Sequence, residues 1–314
     1  MARYAVPLLI FPGNMNDVTD NNNALSDQFV SPRGRSPWLR AWRELRRSKM
    51  ALLGLVVMII IIIVALFAPT IAPTDPIAIN IKERFALPSA KHLLGTDNLG
   101  RDICSRAIYG ARISLQVGIT SVIFALILGV SIGATAAYIG GPVDNVTMRI
   151  MDAMLAFPTI MLALLLRFVL GPSIASVMLA LGIIRIPIFA RTVRSSVLSE
   201  REKEYVEAAR AIGQTNIRIL FRHILPNTLA PLIVLMTVLF ANAILIEASM
   251  SFLGIGTPPP TPSWGNMLSD GREFMQDHPH VVLFPGLAIF LTVLSVNLLG
   301  DGLRDALDPR LIYQ

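Results

Sequence analysis

The chain has 314 residues, of which 54% are hydrophobic and only 15% are charged, and its mean hydropathy is +0.61. Soluble domains carry about 25% charged residues, so this composition excludes an ordinary soluble protein and predicts an all-α integral membrane protein. The net charge is +6, but no basic soluble domain is evident, which argues against nucleic acid as a partner. The lipid bilayer, with its anionic headgroups, is the expected partner of this charge.

The N-terminal part divides into a polar tail and a basic membrane anchor. Residues 1–35 include a stretch rich in Asn, Asp, Ser and Gly, which predicts a disordered tail. Residues 36–76 contain the basic sequence RAWRELRRSK, followed by an apolar run at 50–72. Twenty-three helical residues reach about 34 Å, which is enough to cross a hydrocarbon core of about 30 Å. The run is therefore predicted to be the first transmembrane helix.

Five further apolar segments bring the expected number of transmembrane helices to about six. They are predicted at 113–139, 149–170, 174–195, 228–252 and 282–300. The prediction leaves an extracytoplasmic loop at 77–112, a five-helix core at 113–302 and a cytoplasmic C-terminal tail at 303–314. Pro158 predicts a kink in the third helix, because proline cannot donate the backbone hydrogen bond that a helix needs.

The distribution of basic residues predicts the orientation. If both termini are cytoplasmic, the inside segments carry 17 Lys and Arg residues and the outside segments carry 7. Loops that stay in the cytoplasm are enriched in Lys and Arg, so both termini, including the 1–35 tail, are expected there. The loop between the fourth and fifth helices is placed on the same side.

The sequence shows no pattern for catalysis, nucleotide binding or a metal site. None of the four lysines follows a glycine, which excludes the P-loop that cradles nucleotide phosphates, and HExxH, CxxC and GxSxG are absent. His278 and His280 could form a metal pair, but ordinary loop residues explain them as well, and no metal site is predicted. The chain is therefore expected to be non-catalytic, with no cofactor of its own, and to draw energy for any transport from another component.

Residues 200–227 (loop 200–227) look like a pair of soluble helices between two apolar segments. Gly213 is expected to end the first helix in a left-handed conformation, where any side chain would be strained. The predicted apolar faces follow helical spacing and comprise Tyr205, Ala208, Ala209 and Ile212 in the first helix and Ile217, Leu220, Phe221 and Ile224 in the second. Glu207 and Arg210 are three residues apart on the polar side, within reach of each other. The pattern allows either an amphipathic helix on the membrane surface or a docking element for another protein.

Ionisable and polar residues inside membrane helices are costly and usually face a pathway or a partner. Four such residues are candidates for a translocation pathway, namely Arg167, Arg185, Asn242 and Glu247. They could line a water-accessible route for a zwitterionic solute. Alternatively, an Arg–Glu pair could lock two helices together, and Arg167 could extend its charge to the membrane surface.

The sequence EAARAIG followed by HILPN resembles the EAA loop of membrane subunits of bacterial ABC importers. Six residues match that motif one by one, namely Glu207, Ala208, Ala209, Gly213, Leu225 and Pro226. His223 departs from it, because an isoleucine often stands two places before the Leu-Pro pair. Further segments at 92–115, 149–166, 251–268 and 284–310 are similar to the second permease type of the dipeptide/oligopeptide/nickel importer family. Together with the N-terminal segment at 36–76, they make the resemblance cover most of the chain.

This resemblance implies a type I ABC importer permease architecture in the bacterial inner membrane, with a cytoplasmic EAA coupling helix. The implied partners are a second permease subunit, as a heterodimer, two ATP-binding subunits and an extracytoplasmic substrate-binding protein. ATP and Mg would be bound by the ATPase subunits, and their closure would switch the permease between inward-facing and outward-facing states. Glu207 would pair with a basic residue of the ATPase.

The resemblance also gives the two outer loops a possible role in meeting the substrate-binding protein. Asp97, Arg101 and Asp102 in GTDNLGRD form either a tight hydrogen-bonded turn or a contact with that protein. Residues 257–281 are expected to form an outer lid. The implied solute is a peptide or a peptide-like molecule, with glutathione and nickel chelates as alternatives. An ion-coupled secondary transporter is the rival mechanism, although it would need no docking helix.

Overall fold

The structure, a computed structural model, describes residues 37–307, and within them the regular structure is helical, without β-strands. The tail predicted at 1–35 and residues 308–314 lie outside this range. In chain order the α-helices are α1 (Pro37–Arg47), α2 (Lys49–Leu66), α3 (Ala68–Ile71), α4 (Ile103–Ile139), α5 (Gly141–Leu155), α6 (Thr159–Leu170), α7 (Ile174–Arg201), α8 (Glu204–Ala211), α9 (Asn216–Ile219), α10 (Leu229–Phe252), α11 (Trp264–Gly271) and α12 (His280–Leu307).

Five helical segments in the described range are long and apolar enough to cross a membrane. They are α2, α4, α7, the run from α9 through α10, and α12. The first crossing is shorter than the predicted 50–72, since α2 ends at Leu66. The third predicted crossing, at 149–170, is not one straight helix, because α5 and α6 meet at 95°. The structure therefore has six crossings only if this bent pair counts as one.

The bend follows from the sequence at residues 156–158. Pro158 immediately precedes α6 with an extended backbone (ψ 127°), and it cannot donate the hydrogen bond that would continue α5. With 12 residues, α6 extends about 18 Å, well short of a hydrocarbon core. On its own, α6 is therefore too short to cross the membrane.

Helix α4 begins at Ile103, ahead of the predicted start at 113. The side chain of Asp102 caps it by accepting a hydrogen bond from the backbone N–H of Ser105 at 2.8 Å. Residues 103–112 are therefore helical, although the predicted extracytoplasmic loop at 77–112 included them. Arg106 is buried in this first part of the helix, and Arg112 is exposed.

Helices α4 and α7 form the central pair of the bundle. Gly129 and Gly133 of α4 sit one turn apart and let the two backbones approach closely. A Cβ atom on Gly133 would lie 2.2 Å from the carbonyl oxygen of Ala190 on α7, and one on Gly129 would lie 2.5 Å from Cβ of Phe189. The bundle has two ends. Loop 200–227 and α1 lie at one, and the segments 73–102 and 253–279 lie at the other.

Candidate functional site

Loop 200–227 is built around a helix end at Gly213. The N–H of Gly213 donates to the carbonyl of Arg210 at 2.9 Å, and the N–H of Gln214 donates to the carbonyl of Ala209 at 3.1 Å. These two bonds make the Schellman motif, which places its glycine in the left-handed region, and Gly213 has φ +78°. The predicted left-handed end of the first helix is what the structure shows. A Cβ atom on Gly213 would have no atom within 4 Å, so only backbone strain opposes a side chain there.

The buried side of the loop differs from the predicted apolar face. In α8 the buried residues are Val206 and Ala209, whereas Ile212 is 74% exposed and Ala208 is also exposed. Tyr205 lies at the margin with 36% exposure. Val206 joins the hydrophobic cluster that contains α7 and the end of α4. Packing against the bundle decides which face of α8 is buried, and helical spacing alone does not reveal that packing.

Side-chain hydrogen bonds hold the loop together, and one from the Tyr138 hydroxyl of α4 to Asn216, at 2.8 Å, attaches it to the bundle. The Tyr205 hydroxyl donates to the Glu200 carboxylate, and the Asn227 amide donates to that hydroxyl at 3.2 Å. His223 Nε2 lies 2.8 Å from Gln214 Oε1, so the residue that departs from the EAA motif links the two helices of the loop. These contacts fix the loop as a defined unit on the bundle.

The outward side of the loop carries an uncovered apolar tip. Ile212, Ile217 and Phe221 are 74%, 72% and 65% exposed. Glu207, in α8, is also exposed, and within residues 37–307 its carboxylate forms no ion pair, including with Arg210. An exposed apolar cluster together with an unpaired charge on a well-anchored element can act as a docking surface for another protein.

The last two residues of the motif lie where the loop joins the following helix. Leu225 is half-buried and Pro226 is exposed. Both line an apolar cleft of about 420 Å³ between α4 and the start of α10. Pro226 stands in the first turn of a short 3-10 segment, Leu225–Thr228, where the missing N–H costs little.

The structure brings together two of the four candidate pathway residues. Arg185 and Asn242 line one cleft of about 200 Å³ at the bend between α5 and α6. Arg185 is 2% exposed, and its Nη1 donates to the Leu181 carbonyl at 2.8 Å. Within the described part of the chain, Nε and Nη2 of Arg185 have no hydrogen-bond partner. Asn242 is exposed, and its amide donates to the Val238 carbonyl at 3.3 Å.

The other two candidates lie elsewhere. Glu247 is fully buried near the end of α10, and its Oε1 accepts hydrogen bonds from Ser251 at 2.9 Å and Thr257 at 3.2 Å. Arg167 donates to the carbonyls of Gly171 and Gly256. Neither arginine pairs with Glu247 among residues 37–307, so the Arg–Glu lock considered from the sequence does not form there.

At the opposite end of the bundle, residues 73–112 and 257–281 join through ion pairs, and we call them the two-loop assembly. The Asp97 carboxylate accepts from the backbone N–H groups of Leu99 and Arg101, both at 2.9 Å, and from Nε of Arg101 at 2.6 Å. The GTDNLGRD segment is thus the tight hydrogen-bonded turn. Arg101 and Arg106 both donate to Asp270, at 2.8 and 3.2 Å.

Sequence reasoning missed Arg106 and Asp270, which are 164 residues apart. It also missed the position of His92 between two carboxylates. His92 Nδ1 lies 2.9 Å from Asp102 Oδ1, and His92 Nε2 lies 3.3 Å from Glu83 Oε2. The pKa of Glu83 is lowered by its contact with Lys91 and then by His92. Charged residues spread through the outer segments were the only available signal.

Comparison with known proteins identifies the family. The family model described as "Binding-protein-dependent transport system inner membrane component" matches residues 113–313, which is most of the chain. This chain belongs to that family. The model described as the "N-terminal TM domain of oligopeptide transport permease C" matches residues 36–88. The chain is therefore a multi-pass inner-membrane permease component of the ABC importer class, and its family implies ATPase and substrate-binding partner subunits.

Individual relatives agree with this assignment. The chain is 49% identical to the dipeptide transport system permease protein of Alkalihalophilus pseudofirmus over 93% of this chain and 95% of that one. It is 47% identical to a glutathione transport system permease protein of Escherichia coli O1:K1, over 88% and 92% of the two chains. A solved structure of the MetNI methionine ABC transporter aligns with a TM-score of 0.54 at 19% identity, over 65% of this chain and 96% of that one, which supports the shared type I permease fold.

Proposed function

We propose that this chain is one of two different permease subunits of an ATP-driven importer of peptides or peptide-like solutes. Two ATP-binding subunits and an extracytoplasmic substrate-binding protein would complete the assembly. The names of the relatives support this solute class, since they include dipeptide, peptide and glutathione permeases. The chain itself is non-catalytic in this proposal, and ATP and Mg are bound by the ATPase subunits.

The uncovered tip of loop 200–227 carries the proposal. Its apolar residues would be costly to leave in water, and they are displayed on an element that hydrogen bonds hold to the central helix pair. We propose that this tip lies in the cytoplasm, as do both termini, and fits a groove of an ATPase subunit. Glu207 would then pair with a basic residue of that subunit, and Ala208 would allow close backbone approach. The positive-inside distribution supports this orientation.

A translocation pathway along α7 and α10 is the second part of the proposal. Arg185 and Asn242 are its best supported members, because they share the cleft at the α5–α6 bend. The contacts of Arg167 and Glu247 support a role in holding the ends of helices instead.

Two glycines provide a matched test of coupling. Gly213 and Gly254 both have φ +78°, and at both a new Cβ atom would have no neighbour within 4 Å. A valine costs about the same backbone strain at either site, but only Gly213 lies in loop 200–227. We expect Gly213→Val to reduce peptide uptake at least tenfold in proteoliposomes that contain the whole importer, while Gly254→Val retains most uptake. The Gly213→Asn variant should fall between them, because asparagine tolerates φ > 0.

The measurement pairs solute uptake with ATP hydrolysis in the same vesicles. Uncoupling predicts that Gly213→Val still inserts and assembles but hydrolyses ATP without proportional uptake. Equal uptake by the Gly213→Val and Gly254→Val variants would contradict the coupling role. Uptake that continues without ATP while an ion gradient stands would favour the secondary transporter.

A further inference from the structure

We propose that Arg185 and Asn242 form an anion site that receives the carboxylate of the transported solute as it passes mid-membrane. This inference rests on the function proposed above and adds the chemistry of one step to it. Arg185 lies in the middle part of α7, which ends at Arg201, and Asn242 lies in the middle part of α10, which starts at Leu229. At about 1.5 Å per residue, both therefore lie roughly 20–24 Å from the helix ends next to loop 200–227, near the middle of the bundle.

The guanidinium of Arg185 has donors that its own chain does not use. Nη1 is bonded to Leu181, while Nε and Nη2 are without a partner in the part of the chain that the structure describes. An arginine fork matches a carboxylate with two parallel hydrogen bonds. A membrane-embedded arginine with unused donors is expensive unless an anion or water reaches it, so these donors are available to an anionic ligand.

Among residues 37–307, no carboxylate lines the cleft around Arg185 to compete for this fork. Its lining includes Asn242 and Thr159 as polar residues, while Phe157, Leu239 and Ile246 are among its apolar ones. Glu247 follows Ile246 directly in the chain, but it is buried on another side of α10 against Ser251 and Thr257. A single cation, an amide and apolar walls are a suitable lining for a small organic anion.

A second cleft, also near the middle of the bundle, has a different lining. Ile119, which lies in the middle part of α4, lines a cleft of about 260 Å³ between α2, α4, α10 and α12. Its lining is apolar apart from Thr237. Hydrocarbon tails suit such a surface, but they do not suit one that holds a guanidinium. The apolar cleft therefore suits lipid hydrocarbon, whereas the cleft that holds the Arg185 guanidinium suits water or an anion.

In this conformation the Arg185 side of the anion site is covered, whereas Asn242 is exposed. Arg185 is 2% exposed, and a cleft of about 200 Å³ is smaller than the roughly 300–1,000 Å³ typical of pockets for small molecules. The bend at Pro158 lies beside the cleft, and α6 is the shortest of the helices that surround it. We infer that movement of α6 relative to α7 opens the fork to the solute during the transport cycle.

A thiol-labelling experiment tests the site without knowledge of the solute. The chain has one cysteine, Cys104, so a Cys104→Ser background allows a single cysteine to be placed at Asn242 or, as the control, at Ile119. The probes are a negatively charged and a positively charged methanethiosulfonate reagent, applied to the assembled importer in proteoliposomes during ATP turnover. We expect Asn242→Cys to react with both and Ile119→Cys to react with neither.

The ratio of the two rates then reports the charge of the cleft. Adding Arg185→Gln to Asn242→Cys should lower the ratio of anionic to cationic labelling about fivefold, because a unit charge several ångströms away has been removed. Any change in thiol ionisation affects both reagents equally and cancels in the ratio. An unchanged ratio, or labelling of Ile119→Cys as fast as Asn242→Cys, would overturn the proposal.

A carboxylate could also come from the second permease subunit, and uptake distinguishes that source. If the solute supplies it, Arg185→Gln assembles normally and hydrolyses ATP, but takes up peptide at least tenfold more slowly, and Arg185→Lys recovers part of the rate. Loss of assembly in Arg185→Gln would overturn the proposal in favour of a contact between subunits. If the unmodified importer takes up no peptide while the labelling ratio shifts as expected, the proposed function fails and the anion site stands.

Discussion

The two ends of the bundle differ in how their charged residues are paired. In the two-loop assembly, Asp97, Arg101 and Arg106 are held within the chain, and Trp264 is buried with its indole N–H donated to the Ala107 carbonyl at 2.9 Å. In loop 200–227 the buried side is equally well anchored, but the apolar tip and Glu207 are left without a partner among the described residues. One end pairs its charges within its own chain, and we propose that the other is completed by another protein.

This contrast indicates that the two ends of the bundle have different roles, one in stability and the other in assembly. Charges that pair internally cost desolvation energy but fix a single arrangement of the loops. An apolar tip adds nothing to the stability of the isolated chain, yet it supplies the surface that a partner can bury. Substitutions at the two-loop assembly should therefore act on stability, and those at the tip should act on assembly.

The largest effect is expected from Asp97→Ala in the two-loop assembly. It removes the acceptor of two backbone N–H groups and leaves the Arg101 and Arg106 guanidinium groups short of their anion. Breaking a buried pair on one side costs about 3–5 kcal/mol, which corresponds to a loss of about 10 °C in the Tm of the purified importer. Thermal unfolding in detergent or nanodiscs measures it.

The matched control is Lys91→Ala, which removes an ion pair from the same assembly. The Lys91 side chain is 68% exposed, and solvent screens its pairing with Glu83. Its Tm should stay close to that of the unmodified protein. Similar losses in the two variants would show that burial does not distinguish these charges and would break the comparison between the two ends.

A smaller effect, of a different kind, is expected from Phe221→Asp at the tip of loop 200–227. Phe221 is 65% exposed, so its replacement leaves the fold and Tm nearly unchanged. If the tip is buried against an ATPase subunit, a central aromatic residue contributes about 2 kcal/mol or more, and the Kd for that subunit should rise about 30-fold. Binding of purified ATPase subunit to the reconstituted permease pair measures it.

Ile79→Asp is the control for that substitution, since Ile79 is a 60% exposed apolar residue of the two-loop assembly. It introduces the same charge at the opposite end and should leave the Kd for the ATPase subunit unchanged. If Ile79→Asp weakens binding as much as Phe221→Asp does, the tip is not the specific docking surface.

The smallest effect is expected from Tyr205→Phe, which tests how firmly the loop is anchored. The change removes the hydroxyl that joins Glu200 to Asn227, at a cost of about 1 kcal/mol. Burial raises the pKa of Tyr205 and the Glu200 carboxylate acts in the same direction, so this contribution is present at neutral pH and is lost only as the pH rises through the raised pKa.

Hydrogen exchange of loop amides measures that variant. Exchange should rise in α8 and leave the two-loop assembly unaffected, because the lost bonds are local. Faster exchange at both ends would mean that the loop and the two-loop assembly form one cooperative unit. Unchanged exchange in α8 would mean that packing of Val206 alone anchors the loop.

Much of the fold was predictable because membrane helices can be recognised in a sequence by their length and apolarity. Five of the six apolar segments, the left-handed Gly213 and the break at Pro158 are local properties of the sequence that the structure shows, and the sixth segment is the bent pair of α5 and α6. The predicted face of α8 was wrong in part, since Val206 is buried and Ile212 is exposed. In such a short helix, periodicity does not decide which side meets the bundle.

The sequence by itself determined the class of protein, the EAA motif and the identity of the polar residues in the membrane. Only the tertiary structure decided how they are grouped. Arg185 of α7 shares a cleft with Asn242 of α10, whereas Glu247 is turned away to hold Thr257. The reason is that apolar periodicity depends only on residues that are close in the sequence. The partner of a buried charge depends on how helices that are far apart in the chain pack against one another.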